Sequence, residues 1–548
     1  MNKNPYNGFI NIYKEQGFTS MDVCAKLRGI LGMRKIGHAG TLDPMAEGVL
    51  PVALGRATKD IDRIGNGTKV YRAVMLLGVS TDTQDITGTI IVEKEVPAFS
   101  DEEIRAAADS FLGTYMQLTP MYSARKVAGK KLYEYARKGI EVERKKKAVE
   151  ILSIVIEDIS LPRVTFTVTC TKGTYIRTLC SDMGDRLGPG ACMEELTRLA
   201  VGDIRIDTAL KLSDVERLRD EGRIGEVLWI ASDCAVALGK FDGAHMGHER
   251  IFRKLMTEAQ RRRLRTCVIM LDLGDGYIIQ RDEVKRELLS MGMDYVIRLR
   301  LGKELMAVSA DDFLKKMLMD RYGMKVLVAG EDVTFGYKKE GNVHFLEANK
   351  EKYGYNFIPV EKLRLKNGEA ISSTLIKRII TVGGMEEAEQ LLGKSWSVTG
   401  TVVHGRHIGT SVLGFPTMNL EMPKELICPP FGVYAVRLSF LDRDGGETET
   451  YDGIANLGLK PTVSADDIYK GRIWLETFVF GYEGDAYGRE IRVKLLRFIR
   501  PEKKFAGIEE LREQLLGKDV EEARQFLAAY QEGRRHADEK TLVFSADR

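Results

Sequence analysis

Apolar and polar residues alternate along Val164-Thr165-Phe166-Thr167-Val168-Thr169-Cys170, a period of two that predicts a half-buried strand. The run from Lys69 to Gly78 (KVYRAVMLLG) predicts another, ending at the turn-rich segment Thr81-Asp82-Thr83-Gln84-Asp85-Ile86-Thr87-Gly88. Ser100 and Glu103 have capping-box spacing, and Ile104, Ala108, Phe111 and Leu112 then predict one face of a short helix. Leu212 to Ile230 has helical spacing and charge, and reads as a helical connector. Cys234 to Leu238 is continuously apolar, as a buried strand is, and runs through a glycine loop into a helix with Ile251, Leu255 and Ala259. Farther on, Tyr434, Val436, Leu438 and Phe440, then Ile491, Val493 and Leu495, return to period two between glycine turns. That predicts a small antiparallel barrel. Ile508, Leu511, Leu515 and Leu516 predict a helix, Ala523, Phe526 and Leu527 another, and the polar residues after about 533 are expected to fray.

These patterns divide the chain into five parts: 1–212 (α+β), a connector at 213–232, 233–395 (α/β, Rossmann-like), 396–535 (β-barrel with terminal helices) and a polar tail at 536–548. A length of 548 residues agrees, being too great for one core. With 82 basic and 79 acidic side chains, a nucleic-acid partner needs local basic patches rather than a polycationic body. The seven cysteines are scattered and none forms a C-x-x-C pair, so neither a disulfide framework nor a zinc knuckle is expected. The start lacks an apolar signal core and no long apolar run follows, so a cytoplasmic protein without a membrane partner is expected.

The first candidate chemistry is Gly37-His38-Ala39-Gly40-Thr41-Leu42-Asp43-Pro44, where glycines and a proline present one carboxylate on a loop. Alone this is also an ordinary polar turn. Gly17-Phe18-Thr19-Ser20, that loop, Gly55-Arg56-Ala57-Thr58-Lys59, Lys69-Val70-Tyr71-Arg72-Ala73, the turn at 81–88, Tyr122 to Gly129 and Lys172-Gly173-Thr174-Tyr175-Ile176-Arg177 occur in order. Together they resemble the tRNA pseudouridine synthases that modify the T-loop uridine (uridine 55). The resemblance departs at Glu15-Gln16, where a proline usually follows the lysine, and no added C-terminal RNA-binding domain is expected. It implies Asp43 as nucleophile, Tyr71 stacking on the target base, Tyr175 and Arg177 lining the pocket with the arginine beside the acid, and His38 supporting the flipped nucleotide. tRNA is then the partner and no cofactor is required. A nearby guanidinium favours an ionised carboxylate, and an aromatic face partly repays the unstacked uracil. The lysines at 130–131 and 145–147 read equally as phosphate contacts or plain surface.

In the second segment, strand, glycine loop and helix N-terminus form an anion site at Gly239-Lys240-Phe241-Asp242-Gly243-Ala244-His245-Met246-Gly247-His248. The loop resembles the H-x-G-H signature of nucleotidyltransferases. With Gly330 to Gly336, Gly341-Asn342-Val343 and Ile371 to Lys377 it is similar to the adenylyltransferase module of bacterial riboflavin kinase/FAD synthetases. That implies AMP transfer from ATP to FMN, with Gly239, Asp242, His245 and His248 at the ATP phosphates and Ser372, Ser373 and Thr374 cradling them. The departures are a missing phenylalanine and proline-histidine-proline turn near Asp272–Gly276, a shortened chain after Gly276, Val333 in place of an aromatic, and Lys377 in place of arginine. Lysine lacks arginine's bidentate grip on phosphate. The rival reading is a module that binds nucleotide or supports its neighbours. Arg261-Arg262-Arg263-Leu264-Arg265 reads as a solvated helix end near a carbonyl terminus.

The third segment carries Gly414-Phe415-Pro416-Thr417-Met418-Asn419, Ala455-Asn456-Leu457-Gly458, Leu475-Glu476-Thr477 and Asp485-Ala486-Tyr487-Gly488, and resembles riboflavin kinase. The resemblance implies Gly414 in the nucleotide loop, Thr417 and Asn419 binding ATP and Mg²⁺, and Glu476 as the base at the ribityl hydroxyl of riboflavin. The expected protein is a fusion of tRNA pseudouridine synthase and riboflavin kinase/FAD synthetase, making FMN and, where the middle segment is active, FAD. The alternative is a tRNA- and flavin- or nucleotide-binding regulator with a decayed middle segment.

Overall fold

A computed structural model of the chain describes residues 6–544 except 124, 128, 137, 141, 404–416, 443–444, 460–471 and 504. The chain forms two compact units, Lys3–Ser232 and the residues from Asp233 onward.

The first unit is built on a mixed sheet. Its strands are β1 (Gly8–Lys14), β2 (Ile36–His38), β3 (Glu47–Leu54), β4 (Lys69–Leu77), β5 (Gly113–Leu118), β6 (Lys146–Ser160), β7 (Arg163–Cys170) and β8 (Ala191–Val201). The order is β1-β3-β8-β4-β7-β6-β5, with β2 pairing β3. Helices α1 (Ser20–Leu31), α2 (Asp101–Asp109) and α3 (Ile176–Leu187) accompany it. β4 and β7 bury Tyr71, Ala73, Met75, Val164, Phe166, Val168 and Cys170, as period two requires. The capping box at Ser100 and Glu103 forms, but α2 stops at Asp109. Phe111 therefore packs from the following turn and Leu112 is exposed. Residues 212–232 are not a free joint: α4 (Leu212–Asp220) packs on α1, and Trp229 stacks on Phe9 at 4.7 Å.

The second unit begins with a five-stranded parallel sheet, β9 (Cys234–Gly239), β10 (Arg265–Asp272), β11 (Tyr295–Arg300), β12 (Met324–Gly330) and β13 (Asn356–Val360), in the order β11-β10-β9-β12-β13. Helices α5 (Met246–Arg262), α6 (Arg281–Ser290) and α7 (Ser373–Thr381) belong to it. Strand order reverses beside β9, so the loop at its carboxyl end lies at the topological switch point, where open α/β sheets bind ligands. At the end of α5, Arg261 and Arg262 are held by the buried carboxylate of Glu258.

The remainder is an antiparallel sheet of β14 (Ser397–Thr401), β15 (Thr417–Glu421), β16 (Gly432–Leu441), β17 (Glu447–Leu459), β18 (Ile473–Val479) and β19 (Glu490–Pro501), ordered β14-β19-β16-β17-β18-β15. A bridge between Val403 and Asn419 joins its two ends, making a small barrel. Period two holds, yet both faces of β16 are buried, because Val433 and Ala435 pack under the C-terminal helix through Val520, Ala523 and Leu527. The two expected terminal helices form one run: α8 (Ile508–Arg512), a π-helical stretch Glu513–Asp519, and α9 (Val520–Phe544), which continues past the expected fraying point.

One hydrophobic cluster runs from the parallel sheet into the barrel, including Val268, Ile278, Leu392, Trp396, Val436 and Val493. Polar contacts join the same parts: the Gln280 carboxamide pairs with the backbone N–H and C=O of Thr399, and Glu283 accepts from Arg492.

Candidate active sites

Asp43 lies on the loop between β2 and β3, with its side chain 33% exposed and its Oδ2 3.4 Å from Arg177 Nη2. The other Nη of Arg177 is 3.6 Å from buried Asp85, delivered by the 81–88 turn and fixed there by Thr83 and Thr87. Arg177 also donates to the carbonyl of Tyr122 at 2.5 Å. Tyr175 caps the start of α3, its backbone held by the Gln117 carboxamide and its ring 5.9 Å from the Arg177 guanidinium carbon. Tyr71 is buried on β4 and pairs in register with Arg198 of β8. Its hydroxyl is raised above its usual range, first by burial, and the Asp43 charge adds to that rise. The structure thus gathers Asp43, Tyr71, Tyr175 and Arg177. His38, on β2, has its Nδ1 buried without a hydrogen-bond partner, and burial holds its pKa below the usual value.

Two buried cations that the sequence reading passed over shape this loop. Arg198, fully buried, donates to the carbonyls of Val49 (2.7 Å), Gly40 (3.2 Å) and Thr41 (3.4 Å). Lys14, also fully buried, donates to Ala46 (2.5 Å) and to Pro44 and Glu15 (both 3.2 Å). Ser20 exchanges hydrogen bonds with the backbone of Leu42. Asp43 therefore sits on a segment anchored on both sides. Gly48, at φ +102°, lies against β8, where a Cβ would come within 2.3 Å of the Arg198 carbonyl. Burial raises the Asp43 pKa, Asp85 adds to that, and Arg177 and Lys14 oppose it. Burial also pushes Lys14 down to about 8, against the attraction of Asp43. Elsewhere in this unit, Lys130 and the lysines at 145–147 are exposed, which both readings of them require.

At the end of β9, Phe241, Gly243 and Ala244 all have left-handed backbones. Such strain persists only where surrounding contacts over-determine it. Here Asp242 accepts from Ile278 N (2.8 Å) and pairs with Lys377 Nζ (2.7 Å), while Ser373 Oγ donates to the Asp242 carbonyl. Ser372 caps α7, and Thr374 is exposed. A Cβ on Gly239 would meet the Phe241 ring at 3.0 Å. The rings of His245 and His248 stack at 3.7 Å, each with a buried, unpartnered Nδ1. Burial, with Lys394 nearby, pushes His245 down to about 4 and His248 well below its usual value, so both are neutral at pH 7. Lys377 is thus committed to Asp242.

On the barrel, Glu476 pairs in register with Asn419 on one side and Asn456 on the other, which puts the three side chains in a row on one face. The opposite face carries Leu475, Leu420 and Leu457 into the core. Asn419 is buried, and its Nδ2 donates to the Thr417 carbonyl at 3.2 Å. Thr417 also lines a cavity of about 260 Å³ with Val402, Met418, Tyr482, Asp485 and Tyr487. Gly414 lies outside the described residues. Among the described residues no group of three His, Cys, Asp or Glu side chains could hold a metal, and no helix is long and apolar enough to cross a membrane. A hydroxyl and a carboxamide suit Mg²⁺, which often binds through few protein ligands plus substrate phosphates.

The sheet and anchored carboxylate loop define a pseudouridylate synthase, and the switch-point loop and the barrel define a flavin-nucleotide pair. Family models agree: TruB family pseudouridylate synthase (N terminal domain) matches residues 28–176, tRNA pseudouridylate synthase B C-terminal domain 177–228, FAD synthetase 228–375 and riboflavin kinase 392–527. Residues 177–228 include α3 and β8 of the same sheet, so that C-terminal match is no separate body here. Among relatives, tRNA pseudouridine synthase B of Geobacter sulfurreducens is 45% identical over 247 residues, 45% of this chain and 81% of that protein. The protein of the same name from Alkaliphilus oremlandii is 49% identical over 214 residues, 39% of this chain and 71% of its own. A crystal structure named as a macrolide-efflux protein from Streptococcus pneumoniae covers 54% of this chain and 94% of its own at 29% identity. Its TM-score of 0.46 is too low to bear on the fold. The chain belongs to the TruB family of tRNA pseudouridine synthases, with a riboflavin kinase and FAD synthetase half fused behind it.

Proposed function

We propose that Asp43 is the carboxylate that attacks the target nucleotide, uridine 55 of the tRNA T-loop. The observation carrying this is an acid 33% exposed on an otherwise anchored loop, 3.4 Å from a buried guanidinium. Pseudouridine formation breaks the bond from C1′ to N1, forms one from C1′ to C5, and releases the C5 hydrogen as a proton; the bond that Asp43 forms to the nucleotide is broken again before release, which regenerates the carboxylate. Arg177 opposes the burial that raises the Asp43 pKa and holds the carboxylate in position, while Asp85 keeps Arg177 from turning wholly to Asp43. Tyr71 and Tyr175 supply aromatic faces for the extruded uracil, and His38 supports the flipped nucleotide as a neutral ring. Asp43→Asn tests this by tritium release from tRNA labelled at uracil C5. Release at the wild-type rate by that variant would end the assignment.

For the kinase, Glu476 takes the proton of the riboflavin ribityl hydroxyl, while Thr417 and Asn419 would hold Mg²⁺ with the ATP phosphates. Mg²⁺ there would neutralise phosphate charge. For the middle domain, the shaped loop at the switch point and the two neutral histidines support AMP transfer from ATP to FMN. The reactions make the protein soluble and cytoplasmic in this reading.

A further inference from the structure

Lys377 holds the nucleotide loop through the Asp242 carboxylate, and a second cation holds it through its backbone. Arg281, the first residue of α6, is 1% exposed. Its Nη1 donates to the carbonyl of Lys240 at 2.7 Å and approaches that of Phe241 at 3.4 Å. In trans peptides the N–H points opposite to the preceding C=O. Turning these two carbonyls onto Arg281 therefore aims the N–H groups of Phe241 and Asp242 out of the loop's other side, as in an anion-binding nest. The Nε and Nη2 of Arg281 are buried and have no hydrogen-bond partner, and its ring contact is the face of Tyr277 at 4.8 Å. The carboxylates of Asp272 and Asp242 act on this charge from nearby, yet two of its three nitrogens stay without a hydrogen bond, which favours an anion close to them.

We propose that Arg281 is the positioning residue of the nucleotide loop, setting the Phe241–Ala244 backbone to receive the phosphate chain of a nucleoside triphosphate and adding a positive field that Lys377, neutralised by Asp242, supplies less of. This rests on the AMP-transfer reading above. Arg281 acts through the backbone and makes no contact with the reacting atoms. It belongs to the segment Tyr277–Glu283, three members of which pair with the barrel part: Tyr277 with the backbone at 425 and 427, Gln280 with Thr399, and Glu283 with Arg492. The loop is thereby tied, through this segment, to the barrel part of its own unit.

The test uses the full-length protein with FMN and ATP supplied directly, following FAD. Arg281→Met should raise the KM for ATP about tenfold with kcat changed little, while the KM for ATP in FMN formation from riboflavin stays at the wild-type value. Arg281→Lys, keeping charge and one donor, should fall between. An unchanged KM, or a fall confined to kcat, overturns the proposal. If the wild type forms no FAD, AMP transfer fails as a reading, and calorimetric titration of inorganic pyrophosphate decides the proposal instead. Weaker binding by Arg281→Met supports it and equal binding overturns it. If Arg281→Met also disturbs the kinase, Arg281→Lys alone decides, by the same KM criterion.

Discussion

Replacing Arg198 by methionine separates anchoring of the Asp43 loop from chemistry at the carboxylate. Methionine keeps most of the buried aliphatic volume and removes the guanidinium. Besides its interaction with the Tyr71 hydroxyl, Arg198 loses three bonds to backbone carbonyls: the one to Val49 at 2.7 Å has good length, while those to Gly40 and Thr41 at 3.2 and 3.4 Å are near or past the usual limit. A bond from a charged donor is worth about 1.5–3 kcal/mol, and the long pair add roughly 1 kcal/mol more. Removing a buried charge gives some of this back, leaving a loss of about 2–3 kcal/mol. Urea unfolding of the first unit should show it. Lys14 and Ser20 still hold the loop, so Asp43 should shift by a fraction of an ångström to about 1 Å, enough for up to about a hundredfold loss of rate. Tritium release at saturating tRNA should therefore fall in kcat with little change in KM, and FMN formation by the same protein should be unaffected. A variant destabilised as calculated that still releases tritium within twofold of the wild-type rate would refute the anchoring argument.

Lys14 gives a pH signature. Its folded pKa of about 8 lies below the ordinary 10.5, so between those values the unfolded chain holds a proton that the folded chain has shed. Stability conferred by Lys14 should thus rise with pH across that window and be flat below it. Urea unfolding of wild type and Lys14→Met at pH 7, 8.5 and 9.5 checks this, and a difference that shrinks with rising pH would contradict it. Glu476→Gln should lower FMN formation by at least about a hundredfold, as loss of a general base does, with tRNA modification unchanged. Loss of both activities in a folded variant would contradict independent sites.

Much of the fold could be read along the chain because burial follows simple periods. Val164, Phe166, Val168 and Cys170 all face the core, and the apolar run Cys234 to Leu238 is the central strand of its sheet. Period two could not show that Ala435 is covered as well, because the cover is α9, nearly a hundred residues later. Phe111 and Leu112 fit a helical face by spacing, yet α2 ends before them. Asp43, Tyr71, Tyr175 and Arg177 were recognisable from their motifs. Arg198, Lys14 and Asp85 were not, since a lone basic or acidic side chain carries no local sign that it will be buried. Arg281 was hidden for the same reason: its partners are carbonyls forty residues away, and backbone acceptors leave no mark in the sequence.

The hydrophobic cluster that passes from the parallel sheet into the barrel restricts how this gene can be subdivided. A fragment ending at residue 395 would strip the cover from Ile278 and Leu392, and the complementary piece would begin with an indole, Trp396, suddenly facing solvent. Neither product should stay dispersed, so evolution or an engineer wishing to borrow one flavin activity would have to take both or redesign the seam.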